Sequence, residues 1–291
     1  MSIFKKFEPL FILVLNAIIF PFGIYSAAVF MGTPADRVLI ITAVFIVFPI
    51  YAINKYTDKE DIHNKSRTFY FFIRHPGILH VSILMLLTSI VILIFFGKLT
   101  WFHVFIILAG ITYSVKIIPW YSKGRPTFLR LKDVCFAKSL SVAITWGSSF
   151  FALNWLVYPT LVHNKFQILL LIVNFNIAAF INTVFCDIMD IKGDMAEGIP
   201  TIPARLGVRN TYIRAMLLPA VIFLCATIPL AVLNKIPFPL ELFFLFNLMY
   251  PAFYISMYYW QKMKRSLLAP MIDSCGIFFS VGLLTLHLIG L

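Results

Sequence analysis

Charge is what this sequence has least of. Asp, Glu, Lys and Arg make up 12% of its 291 residues, against about a quarter in a soluble domain, so it lacks the charge to clothe a water-facing surface. Cysteine is nearly as scarce: Cys135, Cys186, Cys225 and Cys275 are scattered, with the spacing of neither a disulfide framework nor a zinc site. No low-complexity stretch or linker divides the chain, which reads as one domain over residues 1–291. Strict alternation of polar and apolar residues is missing too, and its absence excludes a membrane β-barrel.

What the chain has instead is apolar length. Hydrophobic residues reach 61%, and a membrane-spanning helix needs roughly 20 of them in a row. Nine runs approach or exceed that length: 9–35, 38–54, 75–97, 99–115, 139–164, 166–186, 215–234, 242–261 and 274–291. The expected fold is all-α, a polytopic membrane protein of nine transmembrane helices bundled around a central cavity. Lys5 and Lys6 ahead of the first run resemble the start of a secretory leader. That run is longer than a leader's apolar core, so it is expected to remain as the first span.

Placing the N-terminus inside puts all but four of the 24 Lys and Arg residues on the inner side. The exceptions are Arg37, Lys98, Lys165 and Lys235. By the positive-inside rule this orients the chain with its N-terminus in the cytoplasm and its C-terminus outside. Topology and anionic lipid headgroups then account for the net charge of +12, and no nucleic acid is needed to explain it. Outer connections are short, whereas inner ones at 57–74, 117–138 and 187–212 are long, so chemistry is expected at the cytoplasmic end of the cavity.

Acidic residues concentrate at that end. "NKYTDKED" closes the second run and "DIMDIKGD" closes the sixth, so both emerge on one face, and the four helices between them hint at an internal repeat. Asn54, Asp58 and Asp61 are spaced i, i+4, i+7, and Asp187, Asp190 and Asp194 are spaced i, i+3, i+7; both spacings share a helical face. Carboxylates at a helix C-terminus are disfavoured by about 0.3 to 1 kcal/mol each, so cations must compensate. Lys55, Lys59 and Lys192 would do so as a solvated, salt-bridged surface. The alternative is Mg2+, which takes oxygen ligands, one or two carboxylates and the phosphates of a substrate. Two such clusters across a cavity would hold two ions with a diphosphate between them. Basic residues on this face would grip the diphosphate, with Arg67, Lys123 and Arg205 the leading candidates among Arg74, Arg125, Arg130, Lys132, Lys138 and Arg209.

These two segments resemble the signatures of the UbiA superfamily of intramembrane prenyltransferases, an N-D-x-x-D-x-x-x-D motif after the second helix and D-x-x-D-x-x-x-D after the sixth. The second is intact as "DIMDIKGD" and runs on into "MAEGIPTIPARLG", which is similar to the family's continuation. The first departs from the pattern, because Lys55 replaces the usual Asp and Asp61 follows Asp58 by three residues where the family has four. The family's R-P-x-x-[SA]-G stands here as "RTFYFFIRHPG".

The resemblance implies that Asn54, Asp58 and Asp61 hold one Mg2+ while Asp187, Asp190 and Asp194 hold another. Asp58, Asp187 and Asp194, with Arg67 and Lys123 on the diphosphate, would carry the ionisation. The partners it implies are a prenyl diphosphate donor, a lipophilic or aromatic acceptor and membrane lipid. Asn16 matches a family position near the acceptor, an interhelical hydrogen bond being its other reading. Aromatic faces would stabilise an allylic cation, with Tyr113, Tyr121 and Trp146 as lining candidates, and His63 lies between Asp61 and Arg67. Two rivals remain open: a terpene cyclase sharing the ionisation machinery, told apart by its products, and a transporter, told apart by ion flux without diphosphate release.

Overall fold

The computed structural model describes residues 3–63, 67–122, 125–134, 136–233, 235–260 and 265–291. Helix α1 covers Ile3–Met31 and α2 Arg37–Thr57. Two short helices, α3 (Glu60–His63) and α4 (Arg67–Arg74), precede α5 (Gly77–Phe95) and α6 (Trp101–Ser114). After a hairpin come α7 (Ala137–Val157) and α8 (Lys165–Ala196). The rest is α9 (Ile202–Leu206), α10 (Val208–Ile222), α11 (Ile228–Val232), α12 (Phe238–Tyr259) and α13 (Arg265–Leu288).

Seven of these stretches are long and apolar enough to cross a bilayer: Leu13–Met31, Arg37–Thr57, Gly77–Phe95, Ala137–Val157, Lys165–Ala196, Val208–Val232 and Phe238–Tyr259. The chain is a multi-pass integral membrane protein. Two shorter apolar helices, Trp101–Ser114 and Ser274–Leu288, fall in the fourth and ninth of the runs seen in the sequence. Leu84, Val91 and Phe95 of α5 are exposed on one side of the helix, an apolar face of the kind that meets lipid.

The bundle is joined by close packing at its centre. Helix α7 lies against α8, α1 against α2 and α13, and α12 against α8. Gly147 sits at the crossing of α7 and α8, where a Cβ would come within 2.7 Å of the Asn176 Cα. Beside it Phe150 stacks on Phe175 at 5.1 Å and Phe175 on Phe279 at 3.9 Å, tying α7, α8 and α13 together. At the end of the bundle where α2 begins, Asp36 caps the helix by accepting from the Val38 N–H at 2.8 Å. The same carboxylate accepts hydrogen bonds from Lys98 Nζ and the Tyr158 hydroxyl, pinning the turn before α6 and the end of α7.

One element departs from the all-α expectation. Strands β1 (Ile118–Ser122) and β2 (Arg125–Leu129) pair antiparallel from Ile118 with Leu129 to Ser122 with Arg125. Pro119 and Pro126 bar this segment from a helix interior, and its aromatic and β-branched residues suit a strand. Two strands alone have only edges, where proline is tolerated.

Helix α8 explains how carboxylates reach the end of the bundle. Its 32 residues span about 48 Å at 1.5 Å each, well beyond the ~30 Å hydrocarbon core. The last turns, which carry Asp187, Asp190 and Asp194, continue the same helix past the apolar run.

Candidate active site

A cavity of about 440 Å³ opens at that end between α1, α2, α6, α7 and α8. Its inner part is aromatic. Trp146 meets Phe20 edge-on at 5.0 Å and Tyr51 at 5.5 Å, and Phe20 meets Phe150 at 5.2 Å. Its rim is charged, with Asn54, Lys55, Asp58, Glu60 and Asp61 on one side and Lys138, Ser139, Asp187, Asp190 and Asp194 on the other.

The α8 side is held from α7. Lys138 Nζ lies 2.8 Å from Asp194 Oδ1 and 2.9 Å from Asp187 Oδ1. The Ser139 hydroxyl donates to Asp187 Oδ2 at 2.6 Å. A lysine and a serine in the first turn of α7 thus orient two carboxylates about two turns apart on α8, as their i, i+7 spacing allows.

The α2 side is assembled differently from its i, i+4, i+7 spacing. The helix ends at Thr57, Asp58 leaves helical geometry (ψ 77°), and Asp61 returns on α3. Asn54 Nδ2 donates to Asp58 Oδ2 at 3.0 Å, and Lys55 Nζ lies 3.1 Å from Asp61 Oδ2 and 3.5 Å from Asp58 Oδ2. Lys132, only 1% exposed, donates to both Asp58 Oδ1 and Glu60 Oε1 and lies 5.6 Å from the Tyr113 ring centroid. Arg130 forks onto Asp133 and reaches Glu60 Oε2 at 3.5 Å. Burial pushes the Asp58 carboxyl up, but Lys55 and Lys132 outweigh it and hold the group below the usual carboxylate range.

Of the residues singled out in the sequence, Asn16, Asn54, Asp58, Asp61, Tyr113, Trp146, Asp187, Asp190 and Asp194 line the cavity. Arg205 does not, being exposed on α9. Tyr121 is exposed on β1 and also lies outside the lining. Arg67 opens α4, and its side chain and Lys123 lie outside the described residues. His63 Nε2 lies 3.1 Å from Glu197 Oε1, joining α3 to the residue that ends α8. Among the described residues, Lys55, Lys132, Lys138 and Arg130 meet the carboxylates, and nothing in the sequence favoured Lys132, Lys138 or Arg130. Glu60 was missed as well, although it lies between Asp58 and Asp61.

The donor set suits a hard cation, because the acidic side chains at the rim offer oxygen alone. Among the described residues no group of three or more His, Cys, Asp or Glu side chains is gathered closely enough to hold a metal ion by itself. Mg2+ keeps several waters and shares its shell with substrate phosphates, so the α8 carboxylates fit it with one or two of their number.

A bundle of apolar helices around a cavity that is aromatic within and charged at its rim defines a class: intramembrane proteins with an amphiphilic cavity. The chain belongs to the UbiA prenyltransferase family, whose model matches residues 38–280. The fold is similar to that of an apo UbiA homologue from Aeropyrum pernix K1, with 13% identity, 93% of this chain and 97% of that one covered, and a TM-score of 0.54. It is similar also to a UbiA homologue from Archaeoglobus fulgidus bound to DMAPP and Mg2+, with 12% identity, 97% and 99% covered and a TM-score of 0.57. A UbiA homologue from Archaeoglobus fulgidus bound to GPP and Mg2+ gives 13% identity, 97% and 99% covered and a TM-score of 0.55. At such identities the likeness is one of fold. No curated protein matches the sequence.

Proposed function

We propose that the protein is a Mg2+-dependent prenyltransferase that moves a prenyl group from an allylic diphosphate to an aromatic acceptor and releases diphosphate. The observation that carries this reading is the cavity itself, where an aromatic interior meets a rim of facing carboxylates and lysines. The solved relatives with DMAPP or GPP and Mg2+ support it.

The donor's tail would lie along Phe20, Trp146 and Phe150, with its diphosphate at the rim. Bound Mg2+ supplies neutralisation of the charge that gathers on the leaving group. Lys55 and Lys138 add fixed positive charge there, so the C–O bond breaks with its electron pair passing to the diphosphate. Trp146 and Tyr51 face the resulting allylic cation and stabilise it by about 0.5 to 2 kcal/mol each, while the apolar walls keep out water that would quench it. A ring carbon of the acceptor then supplies the electron pair for the new C–C bond, and its proton passes to a rim carboxylate.

The seven long apolar helices and the two shorter ones support nine passes, and the positive-inside bias supports a cytoplasmic N-terminus, an external C-terminus and a rim open to the cytoplasm. Incubating purified protein with geranyl, farnesyl and geranylgeranyl diphosphates, Mg2+ and a panel of acceptors tests the reaction. The expected result is one prenylated acceptor with stoichiometric diphosphate. Cyclised hydrocarbon formed without any acceptor would replace transfer with cyclisation.

A further inference from the structure

Resting on that reading, we infer that Lys55 and Lys132 take the place of a divalent cation at the α2 rim, so that the metal requirement is confined to the α8 carboxylates. Both oxygens of Asp58, both of Glu60 and Oδ2 of Asp61 face an ammonium or a guanidinium. A metal ion arriving there would have to displace these groups. Lys132 is buried to 1% exposure, so losing its carboxylates would strand a charge in the interior.

The ion pairs point the same way. On the α2 side Asp58, Glu60, Asp61 and Asp133 are met by Lys55, Lys132, Arg130 and, beside Asp133, Lys116. Each of these carboxylates has a Lys or Arg side chain against it. On the α8 side Lys138 serves Asp187 and Asp194. Asp190 also lies within electrostatic reach of Lys55, which places the Lys55 ammonium between the two sides. There it acts as a fixed cation for the diphosphate that an ion would otherwise hold.

Mn2+ is the probe, added with inorganic pyrophosphate to the purified full-length protein and read by electron paramagnetic resonance. One ion gives a mononuclear six-line spectrum and one bound equivalent; two ions a few ångströms apart give a spin-coupled spectrum. The inference predicts a single mononuclear ion in the wild type, unchanged in Asp61→Asn and in Lys55→Arg, and bound at least tenfold more weakly in Asp190→Asn. Lys55→Met, which uncovers the α2 carboxylates, is expected to take up a second ion and show coupling. Two coupled ions in the wild type, or loss of the signal in Asp61→Asn, would overturn the inference and leave the prenyltransferase reading standing. No bound ion in folded wild-type protein would overturn the Mg2+ requirement of that reading along with it. The wild-type spectrum alone decides between one ion and two if a variant fails to fold.

Discussion

Lys138 bridges Asp187 and Asp194, its Nζ 2.9 Å from one carboxylate and 2.8 Å from the other, so a single ammonium on α7 fixes both ends of the α8 acidic face. If that ammonium also meets the diphosphate, Lys138→Met will slow diphosphate release by about 10²- to 10³-fold. Lys138→Arg, which keeps the charge, will recover part of the rate. Initial rates of pyrophosphate release, with helicity checked by circular dichroism, measure both.

Trp146 faces the cavity between Phe20 and Tyr51, where it would both stabilise a cation and exclude water. Trp146→Ala will divert the reaction, raising the share of donor hydrolysed to free prenyl alcohol while Trp146→Phe keeps transfer dominant. The ratio of alcohol to prenylated acceptor is the readout. An unchanged ratio in Trp146→Ala would remove this ring from the mechanism.

The α7–α8 crossing tolerates no side chain at Gly147, because an added Cβ would press on the Asn176 backbone. Overpacking of this kind costs about 1 to 3 kcal/mol. Gly147→Ala will therefore lower the thermal midpoint in detergent, and the helix separation it forces will widen the cavity that both helices line.

Far from the rim, Asp36 makes a stability contribution that depends on pH. Burial pushes its carboxyl up, but hydrogen bonds from Lys98 and Tyr158 prevail and hold it below its ordinary value of 3.8. A carboxylate with a depressed folded pKa stabilises the protein above its unfolded pKa, and that stabilisation is lost as pH falls through the folded value. Asp36→Asn will destabilise the protein near pH 7 by about 1 to 3 kcal/mol. The gap from wild type will close as the medium is acidified below the ordinary carboxylate value, as denaturation series at several pH values will show.

The sequence carried much of this. The apolar runs marked the helices, and "DIMDIKGD" placed Asp187, Asp190 and Asp194 on one helical face because α8 runs unbroken through them. Asn54, Asp58 and Asp61 were legible as a cluster, yet their spacing misled about how they meet. The helix breaks at Asp58 and α3 turns Asp61 back toward Lys55. The lysines that meet the carboxylates were hidden for a different reason: the positive-inside rule already accounts for every basic residue at that end of the bundle. Only distance separates Lys132 and Lys138, which meet the carboxylates, from Arg205, which is exposed on α9. The hairpin was hidden because Pro119 and Pro126 read equally well as loop residues.

The most direct test is pyrophosphate release from geranyl diphosphate, with the acceptor panel present, by wild type and Asp190→Asn, each with Mg2+ and with a chelator. The account predicts release by the wild type with Mg2+, and a loss of about 10²-fold or more on removing either the metal or the Asp190 carboxylate. Release that ignores both changes, or none from folded wild-type protein with geranyl and longer donors, would contradict it.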